Sequence, residues 1–451
     1  MESQLNQNPE IVVALDLGTS KVCALVGRKN ILGKIEILGY GKVNSDGVIR
    51  GVVSNIDKTA KAISDAIDMA EKTSKQELQV VHVGIAGQHI KSIMHQGVLY
   101  RADNQLEITA SDVEKLIQDM YKIALPPGDQ ILHVIPQEFI VDDQDGIIDP
   151  VGMYGSRLQS NFHIITGNIA ASNNIQRCLE KAGLVAGSVT LGSLASAKSV
   201  LSKEEIKEGV VLVDIGGGTT EVTIYHEGIL RYSSVIPLGG NVITKDIKMG
   251  CSVTLEQAEK LKVRFGSALS EEIVDNRIIT IQGLMGREPK EISEKNLARI
   301  IQARAQEIFD YVMWDISRSN FEKDITIGLV LTGGTSMLKN IDLLAEYQTG
   351  YSVRIGQPAT NLLSHYEDAI SNPAFATSLG LLIEGIEITS KHLPEKQQPK
   401  PHIMNVDEYT DEINMEVETA LPARKSWIGS AVDKSFKQVR GFFEHSPDSE
   451  F

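Results

Sequence analysis

Residues 210–225 read Val-Val-Leu-Val-Asp-Ile-Gly-Gly-Gly-Thr-Thr-Glu-Val-Thr-Ile-Tyr. An apolar strand ends at Asp214, a glycine turn follows, and a second apolar strand returns, which predicts a β-hairpin. Residues 11–26 repeat this pattern, because the strand Ile-Val-Val-Ala-Leu runs into Asp16-Leu-Gly-Thr-Ser-Lys21 and then into a second apolar run. The two aspartates are 198 residues apart. This separation indicates an internal duplication of half a molecule rather than a short structural repeat.

Both turns have the composition that binds a phosphate chain. Glycine lets backbone N–H groups approach phosphate closely, while Thr and Ser add hydroxyl donors. A carboxylate beside each turn would hold hydrated Mg²⁺, which prefers oxygen ligands and keeps several waters. Two such turns facing each other would hold the β- and γ-phosphates of a nucleotide from both sides. The predicted phosphate-binding residues are Gly18, Thr19, Ser20, Lys21, Gly216, Gly217, Gly218 and Thr219, and the predicted magnesium residues are Asp16 and Asp214.

Either turn alone could be a tight hairpin without a ligand. The pair argues against this, and a third glycine turn, Thr332-Gly-Gly-Thr-Ser336, follows an apolar strand and precedes a predicted helix. The sequence contains no GxxxxGK[ST] motif, so a P-loop is excluded, and no GxGxxG opens a helix after the first strand. Elsewhere, apolar spacing predicts helices over 56–73, 109–123, 254–265 and 294–318, and a strand over 80–85.

The composition is that of a globular protein with an acidic surface. Among 451 residues, 42% are hydrophobic and the net charge is −15, which argues against general nucleic-acid binding. The three cysteines, Cys23, Cys178 and Cys251, suggest neither a disulfide framework nor a zinc site. No signal peptide and no apolar run of ~18 residues is present. We therefore expect an intracellular protein whose membrane contact is peripheral.

The C-terminal part of the chain changes character after residue 388. Residues 389–423 are polar and proline-containing, which predicts a flexible linker. Residues 424–443 then form an amphipathic pattern at helical spacing and carry a net positive charge. This combination predicts a helix on an anionic membrane surface. The alternative is a helix that packs on the protein body. The predicted membrane-facing residues are Trp427, Ile428, Val432, Phe436, Val439, Phe442 and Phe443.

Three motifs together resemble the actin/DnaK/sugar-kinase superfamily of ATP-binding proteins. Asp16–Lys21 resembles its first phosphate motif, Asp214–Thr220 its second, and residues 331–338 its adenosine motif. The resemblance implies that Gly333, Gly334 and Ser336 contact the adenosine. Residues 258–262 resemble the helix that supplies Glu and Lys to the adenosine in DnaK-type relatives, which assigns Glu259 and Lys262 to the same site.

Further segments narrow the resemblance to the FtsA family of bacterial cell-division proteins. They are His133-Val-Ile-Pro-Gln-Glu-Phe139, Asp149-Pro-Val-Gly-Met153, Val235-Ile-Pro-Leu-Gly-Gly-Asn241, Leu261-Lys-Val-Arg-Phe-Gly266 and Val83-Gly-Ile-Ala-Gly87. The resemblance covers roughly residues 10–388 and the last helix. It implies an α/β actin-like fold of two duplicated ribonuclease-H-type domains around a nucleotide cleft. It also implies a protein that polymerises and tethers FtsZ filaments to the inner face of the cytoplasmic membrane at the division septum.

The same resemblance implies a division of the chain into subdomains. The expected boundaries are 10–83 with 166–208 and 358–388 for the first actin-like subdomain, 84–165 for an FtsA-type insertion, 209–240 with 305–357 for the second core, 241–304 for a small subdomain, 389–423 for the linker and 424–443 for the membrane helix. The insertion is the expected contact for other divisome proteins.

A basic groove in the small subdomain is the expected site for the acidic C-terminal tail of FtsZ. Arg287 lies in Gly-Arg-Glu-Pro-Lys290, which resembles the FtsA stretch tied to FtsZ binding, and Lys295 and Arg299 follow. Such a groove would suit a short peptide segment. The alternative is that these are scattered surface charges.

Hydrolysis is expected to be slow at most. ATP-hydrolysing relatives carry Glu-Pro at the start of the helix that links the two halves, whereas Gly192-Ser193 stands here. Without that Glu, phosphoryl transfer loses a water-positioning group. The rival functions are a small-molecule kinase, for which no catalytic base is identified, a DnaK-like chaperone, for which the C-terminal part is too short, and a PilM-like adaptor, which lacks the terminal helix.

Overall fold

The computed structural model describes residues 10–30, 32–101, 107–283, 288–358, 362–363 and 370–391. Contacts group the described residues up to Ile386 into one compact unit. Arg287, nearly all of the expected linker and the expected membrane helix lie outside the described residues. Among the described helices, none is both long and apolar enough to cross a membrane.

The described residues form the following strands and helices. The strands are β1 (Val12–Leu17), β2 (Lys21–Lys29), β3 (Ile35–Asn44), β4 (Val48–Ile49), β5 (Val52–Val53), β6 (Val80–Ile85), β7 (Lys91–Tyr100), β8 (Asp129–Val141), β9 (Gln144–Ile147), β10 (Arg157–Asn168), β11 (Val185–Leu191), β12 (Val210–Ile215), β13 (Thr220–His226), β14 (Ile229–Ile236), β15 (Ile278–Ile281), β16 (Lys290–Ser293), β17 (Gly328–Thr332), β18 (Val353–Ile355) and β19 (Leu362–Leu363). The helices are α1 (Ile56–Ser74), α2 (Ala110–Met120), α3 (Ile169–Lys181), α4 (Gly192–Val200), α5 (Lys203–Glu208), α6 (Gly240–Gly250), α7 (Leu255–Phe265), α8 (Glu294–Ser319), α9 (Ile341–Thr349) and α10 (Ala376–Lys391). All the helices and the strand predicted from apolar spacing are present.

Two sheets repeat one topology. The first has the order β11-β6-β1-β2-β3-β19 and the second the order β14-β13-β12-β17-β18. In each, three consecutive strands pair antiparallel, and the first of them also pairs parallel with a later strand, β6 or β17. The duplication predicted from the two aspartate turns is therefore confirmed at the level of the fold.

Burial on both faces explains the continuous apolar runs that open each half. The side chains of Val210–Val213 in β12 are fully buried, as expected for a central strand covered on both faces. Helix α1 covers the first sheet with residues at a spacing of three or four, including Ile63, Ala66 and Ile67. The side chain of Asn55 accepts a hydrogen bond from Lys58 N–H and so caps this helix.

The insertion is a four-stranded antiparallel sheet of order β7-β10-β8-β9, with α2 packed on it around Phe162 and Leu116. It lies within the first half in sequence, between β6 and β11, but it bonds to strand β14 of the second half. Gln137 Nε2 donates to Leu230 O at 3.0 Å, and Arg231 pairs with Glu138 at 2.8 Å. Gln137 and Glu138 belong to the segment 133–139 quoted for the family resemblance, but the sequence predicted no contact between them and β14.

A smaller cluster surrounds α6, α7 and the first part of α8. Its buried core includes Ile243, Leu261, Ile292, Leu297 and Ile301, and strands β15 and β16 form a two-stranded sheet beside it. Thr254 caps α7 by accepting from Gln257 N–H, and Gln257 bonds back to the cap. This cluster positions Glu259 and Lys262 next to the turns described below.

Candidate functional site

The two predicted glycine turns have the same closing hydrogen bond. Gly18 N–H donates to Lys21 O at 2.9 Å in the first turn, and Gly216 N–H donates to Thr219 O at 2.9 Å in the second. In each turn the predicted magnesium residue, Asp16 or Asp214, lies at the end of the strand that leads into the turn. The sequence repeat therefore corresponds to a structural repeat at the site.

The structure brings these two turns into contact with each other. A Cβ at Gly217 would overlap Ser20 Oγ, and a Cβ at Gly218 would lie 2.5 Å from Thr19 Oγ1. Ser20 Oγ also donates to Asn241 Oδ1 at 3.4 Å, across the two halves. Only glycine fits at positions 217 and 218 while the opposing hydroxyls keep their places.

Hydroxyl groups from two helices of the first half hold the aspartates. Ser196 Oγ on α4 donates to Asp214 Oδ2 at 2.6 Å, and Ser378 Oγ on α10 donates to Asp16 Oδ2 at 3.2 Å. Thr377 Oγ1 also donates to Asp214, at 3.4 Å. These three hydroxyls lie outside the glycine-turn motifs, so the sequence patterns did not assign them to the site.

Lys21 supplies the positive charge that was predicted for the first turn. Its Nζ lies 2.7 Å from Asp16 Oδ2. Burial is the largest single influence and opposes the charged form of Lys21, but the combined attraction of Asp16, Cys23 and Asp214 outweighs it, and the pKa of Lys21 is raised. The ammonium group of Lys21 thus forms an ion pair with one of the two aspartates, Asp16.

The negative charges of the acidic groups in the second half are less fully balanced by nearby positive charge. Burial, together with the nearby Asp16 carboxylate, raises the pKa of Asp214. Burial also raises the pKa of Glu221, on β13, to about 8, and the Asp214 carboxylate adds to that rise. A bound cation would oppose this rise of both pKa values, because it stabilises the charged carboxylates.

The third glycine turn joins the second. Gly333 has φ +85°, and a Cβ there would overlap Asp214 Oδ1. Thr335 Oγ1 donates to Gly216 O at 2.9 Å. Ser336 is buried, and its hydroxyl donates to Gly333 O at 2.8 Å, so it closes its own turn. Thr335 rather than Ser336 therefore makes the link between turns.

Helices α6 and α7 complete the surroundings of the second turn. Gly240 N–H donates to Gly216 O at 3.0 Å, and Asn241 N–H donates to Gly217 O at 2.8 Å. Lys262 Nζ donates to Gly240 O at 3.1 Å and lies 2.8 Å from Glu259 Oε2. The residues assigned from the DnaK-type resemblance thus lie beside the start of α6.

A cavity of about 560 Å³ opens next to the third turn. This is within the usual range of small-molecule sites, ~300–1,000 Å³. Its lining includes Ser336, Met337, Asp342, Asn372 and Pro373. Of the five residues that the resemblance assigns to the adenosine, Ser336 lines this cavity, whereas Gly333, Gly334, Glu259 and Lys262 do not.

The donor set fits a nucleotide with a hydrated cation. The turns supply backbone N–H groups and the hydroxyls of Thr19 and Ser20, and oxygen ligands for a hard cation stand at both strand ends. Glu221 Oε2 is buried and has no hydrogen-bond partner among the described residues. In the described ranges no group of three or more His, Cys, Asp or Glu side chains is placed to hold a metal ion.

The predicted partner residues are only partly described. Lys290 is exposed on β16, and its Nζ donates to Ser252 O. Lys295 and Arg299 lie four residues apart on α8, which places them on one face of that helix. Arg287 is outside the described residues.

Family models match two parts of the chain. The model described as "Cell division protein FtsA" matches residues 211–380, and "SHS2 domain inserted in FTSA" matches residues 87–166. The second match covers most of the inserted four-stranded sheet.

Full-length relatives and a solved structure agree with these matches. "Cell division protein FtsA" of Neisseria meningitidis is 40% identical over 379 residues, which cover 84% of this chain and 91% of that protein. The Pseudomonas aeruginosa protein of the same name is 37% identical over 381 residues, covering 84% and 90%. The structure of a "PilM-PilN type IV pilus biogenesis complex" has a chain with TM-score 0.62 at 15% identity, covering 83% of this chain and 98% of that one, which supports the actin-like fold alone. The chain belongs to the FtsA family of cell-division proteins.

Proposed function

We propose that this protein binds Mg-ATP between its two glycine turns and tethers FtsZ filaments to the inner face of the cytoplasmic membrane at the division site. The observation that carries the nucleotide part is the contact between the turns, in which Gly217 and Gly218 lie against Ser20 and Thr19. Mg²⁺ would supply the charge that offsets the β- and γ-phosphates. The residues that would hold it through water are Asp16 and Asp214.

The nucleotide acts mainly as a conformational and polymerisation ligand. Helix α4 begins with Gly192-Ser193, and neither side chain carries a carboxylate that could orient water. Turnover is therefore expected below the ~1–100 per second of typical kinases. The site joins residues of both halves, since Ser196 and Thr377 bond Asp214, so occupancy would favour one arrangement of the halves over another.

The tethering part rests on the family and on the terminal segment. An amphipathic helix over 424–443 would insert Trp427, Phe436 and their apolar neighbours into an anionic membrane. One such helix binds with moderate strength, and a homopolymer that displays many of them would bind through avidity. The tail of FtsZ would dock at the basic residues Arg287, Lys290, Lys295 and Arg299, and the insertion would contact other divisome proteins.

Titration calorimetry with Mg-ATP tests the nucleotide site. Asp214→Ala is expected to weaken Mg-ATP binding, because it removes a group that holds the hydrated cation. The matched control is Asp65→Ala, since Asp65 is exposed on α1. Equal affinity of the Asp214 variant and the wild type would rule out this role for Asp214, and absence of ATP binding to the wild type would rule out the function.

A further inference from the structure

Arg50 lies at the tip of a short hairpin that the glycine-turn patterns do not include. Strands β4 and β5 pair antiparallel with Ile49 opposite Val52, so that Arg50 and Gly51 form a two-residue turn between them. Their φ angles are +50° and +75°. Two positive φ angles are typical of a type I′ turn, in which Asn, Asp or Gly is preferred at the first position. An arginine in this left-handed conformation is uncommon.

The tip of this hairpin lies against both phosphate-binding turns. Gly51 N–H donates to Thr19 Oγ1 of the first turn at 3.0 Å. A Cβ at Gly218 of the second turn would lie 3.0 Å from Arg50 Cα. A Cβ at Gly51 would also lie 2.7 Å from Gly87 Cα, just after β6. These contacts hold the backbone of Arg50 at the junction where the two turns meet.

The charge of Arg50 is not balanced by a carboxylate of the described residues. The residue is exposed, and within the described ranges its guanidinium forms neither an ion pair nor a hydrogen bond. Lys21, in contrast, pairs with Asp16 at 2.7 Å, and Lys262 pairs with Glu259 at 2.8 Å. A residue that its surroundings hold in an uncommon backbone conformation indicates a functional role, and here that residue carries a positive charge beside two turns suited to phosphate.

We propose that Arg50 binds the terminal phosphate of ATP and thereby makes the site favour ATP over ADP. This assignment rests on the proposed binding of Mg-ATP between the two turns. A guanidinium group forms paired, charge-assisted hydrogen bonds with phosphate oxygens, and the γ-phosphate is the group that ADP lacks. Because the hairpin tip touches both turns, its arginine is within reach of a phosphate that both turns hold.

The test compares the affinities for Mg-ATP and Mg-ADP by calorimetry in Arg50→Asn. This substitution produces Asn-Gly, the pair that a type I′ turn prefers, so the hairpin keeps its shape while the guanidinium is lost. We expect the affinity for Mg-ATP to fall about tenfold or more, as for the loss of a hydrogen bond to a charged group, and that for Mg-ADP to change by less than about threefold. The midpoint of urea unfolding without nucleotide should stay equal or rise, whereas a merely structural role of Arg50 would lower it.

Lys75→Asn is the matched control. Lys75 is exposed and follows the C-terminal end of α1 at φ +56°, so this variant makes the same charge change at another left-handed position. Both affinities should stay within about twofold of the wild type. If Arg50→Asn does not fold by circular dichroism, Arg50→Gln, which is also uncharged and is closer in length to arginine, decides by the same comparison of nucleotides.

Each other outcome contradicts a defined part of the account. An unchanged affinity for Mg-ATP in the Arg50 variant overturns the assignment and leaves the proposed function standing. An equal loss of affinity for Mg-ATP and Mg-ADP also overturns it, because the guanidinium would then not distinguish the terminal phosphate. Failure of the wild type to bind ATP overturns both the assignment and the proposed function.

Discussion

Gly217 of the second glycine turn lies against Ser20 of the first, so closely that a Cβ on Gly217 would overlap the Ser20 hydroxyl. The two residues are almost half the chain apart in sequence and belong to the two repeated halves. Their contact shows that the duplicated turns meet in the folded protein. A phosphate chain bound to one turn would therefore lie within reach of the other.

Gly217→Ala is expected to weaken Mg-ATP binding by about tenfold, because the added methyl group pushes the two turns apart. The double variant with Ser20→Ala tests whether this clash is the cause. Residues in contact usually show coupling energies of ~0.5–3 kcal/mol in a double-mutant cycle. Calorimetry of the wild type, the two single variants and the double variant gives this coupling energy. Purely additive effects on the binding free energy would contradict the contact.

Much of the site could be predicted because its chemistry is local in sequence. Asp16 and Asp214 each precede a glycine turn at the end of an apolar strand, and this pattern can be recognised without knowledge of the fold. Ser378 could not be assigned in this way, because α10 reaches Asp16 only after the chain has passed through the whole second half. Glu221 lies in the hairpin of residues 210–225, but its burial and the resulting rise of its pKa depend on how the halves pack, which a strand pattern does not reveal.

The fold, like the site, has parts that follow from local sequence patterns and parts that do not. The hairpins and long helices follow from apolar spacing, and the structure has them where the sequence predicts them. The bond of Arg231 to Glu138, which links β14 to the insertion, joins two residues 93 positions apart. No periodic pattern contains this information, because the contact depends on how the insertion packs against the second sheet.

Arg231→Ala is expected to destabilise the protein by about 1–3 kcal/mol. Arg231 is 8% exposed and bonds Glu138 at 2.8 Å and Glu227 at 2.6 Å. Its loss removes these charge-assisted hydrogen bonds and the packing of a buried side chain, although water can solvate the two carboxylates, whose side chains are 40% and 53% exposed. Urea unfolding measures the change. Arg177→Ala, at an exposed ion pair on α3, is the control, and an equally small effect in both variants would contradict the structural role of Arg231.

His82 is expected to make the fold sensitive to acid. It is buried, its Nδ1 lies 2.8 Å from Ser188 Oγ, and burial lowers its pKa to about 4. The unfolded chain takes up a proton near pH ~6.5, so the neutral ring stabilises the fold above that pH. This contribution is lost as the pH falls toward about 4.

Gln at this position would remove the titration, because its amide does not ionise, and its size is close to that of His. Between pH ~6 and ~5 the slope of unfolding free energy should decrease by up to ~1.4 kcal/mol per pH unit relative to the wild type. Urea unfolding at several pH values measures it, with His95→Gln, at an exposed position on β7, as control. An identical slope in wild type and His82→Gln would show that His82 is not the source of the acid sensitivity.

Arg287→Glu should reduce binding of a peptide with the sequence of the FtsZ tail by about tenfold or more, because charge reversal opposes an acidic ligand. Affinity for Mg-ATP should not change. Lys323→Glu makes the same charge change at an exposed residue outside the predicted groove and serves as the control. Fluorescence anisotropy of the labelled peptide measures the affinities. Equal binding by the Arg287 variant and the wild type would exclude this assignment.

Co-sedimentation of FtsZ with anionic liposomes tests the proposed tether most directly. With ATP and Mg²⁺ present, the wild type should carry FtsZ into the pellet, and Trp427→Glu or Phe436→Glu should leave both proteins in the supernatant while ATP binding persists. A chain ending at Pro422 should behave like these variants, because it lacks residues 424–443. Pelleting of FtsZ with liposomes by that shortened chain, at the level of the wild type, would contradict the membrane tether.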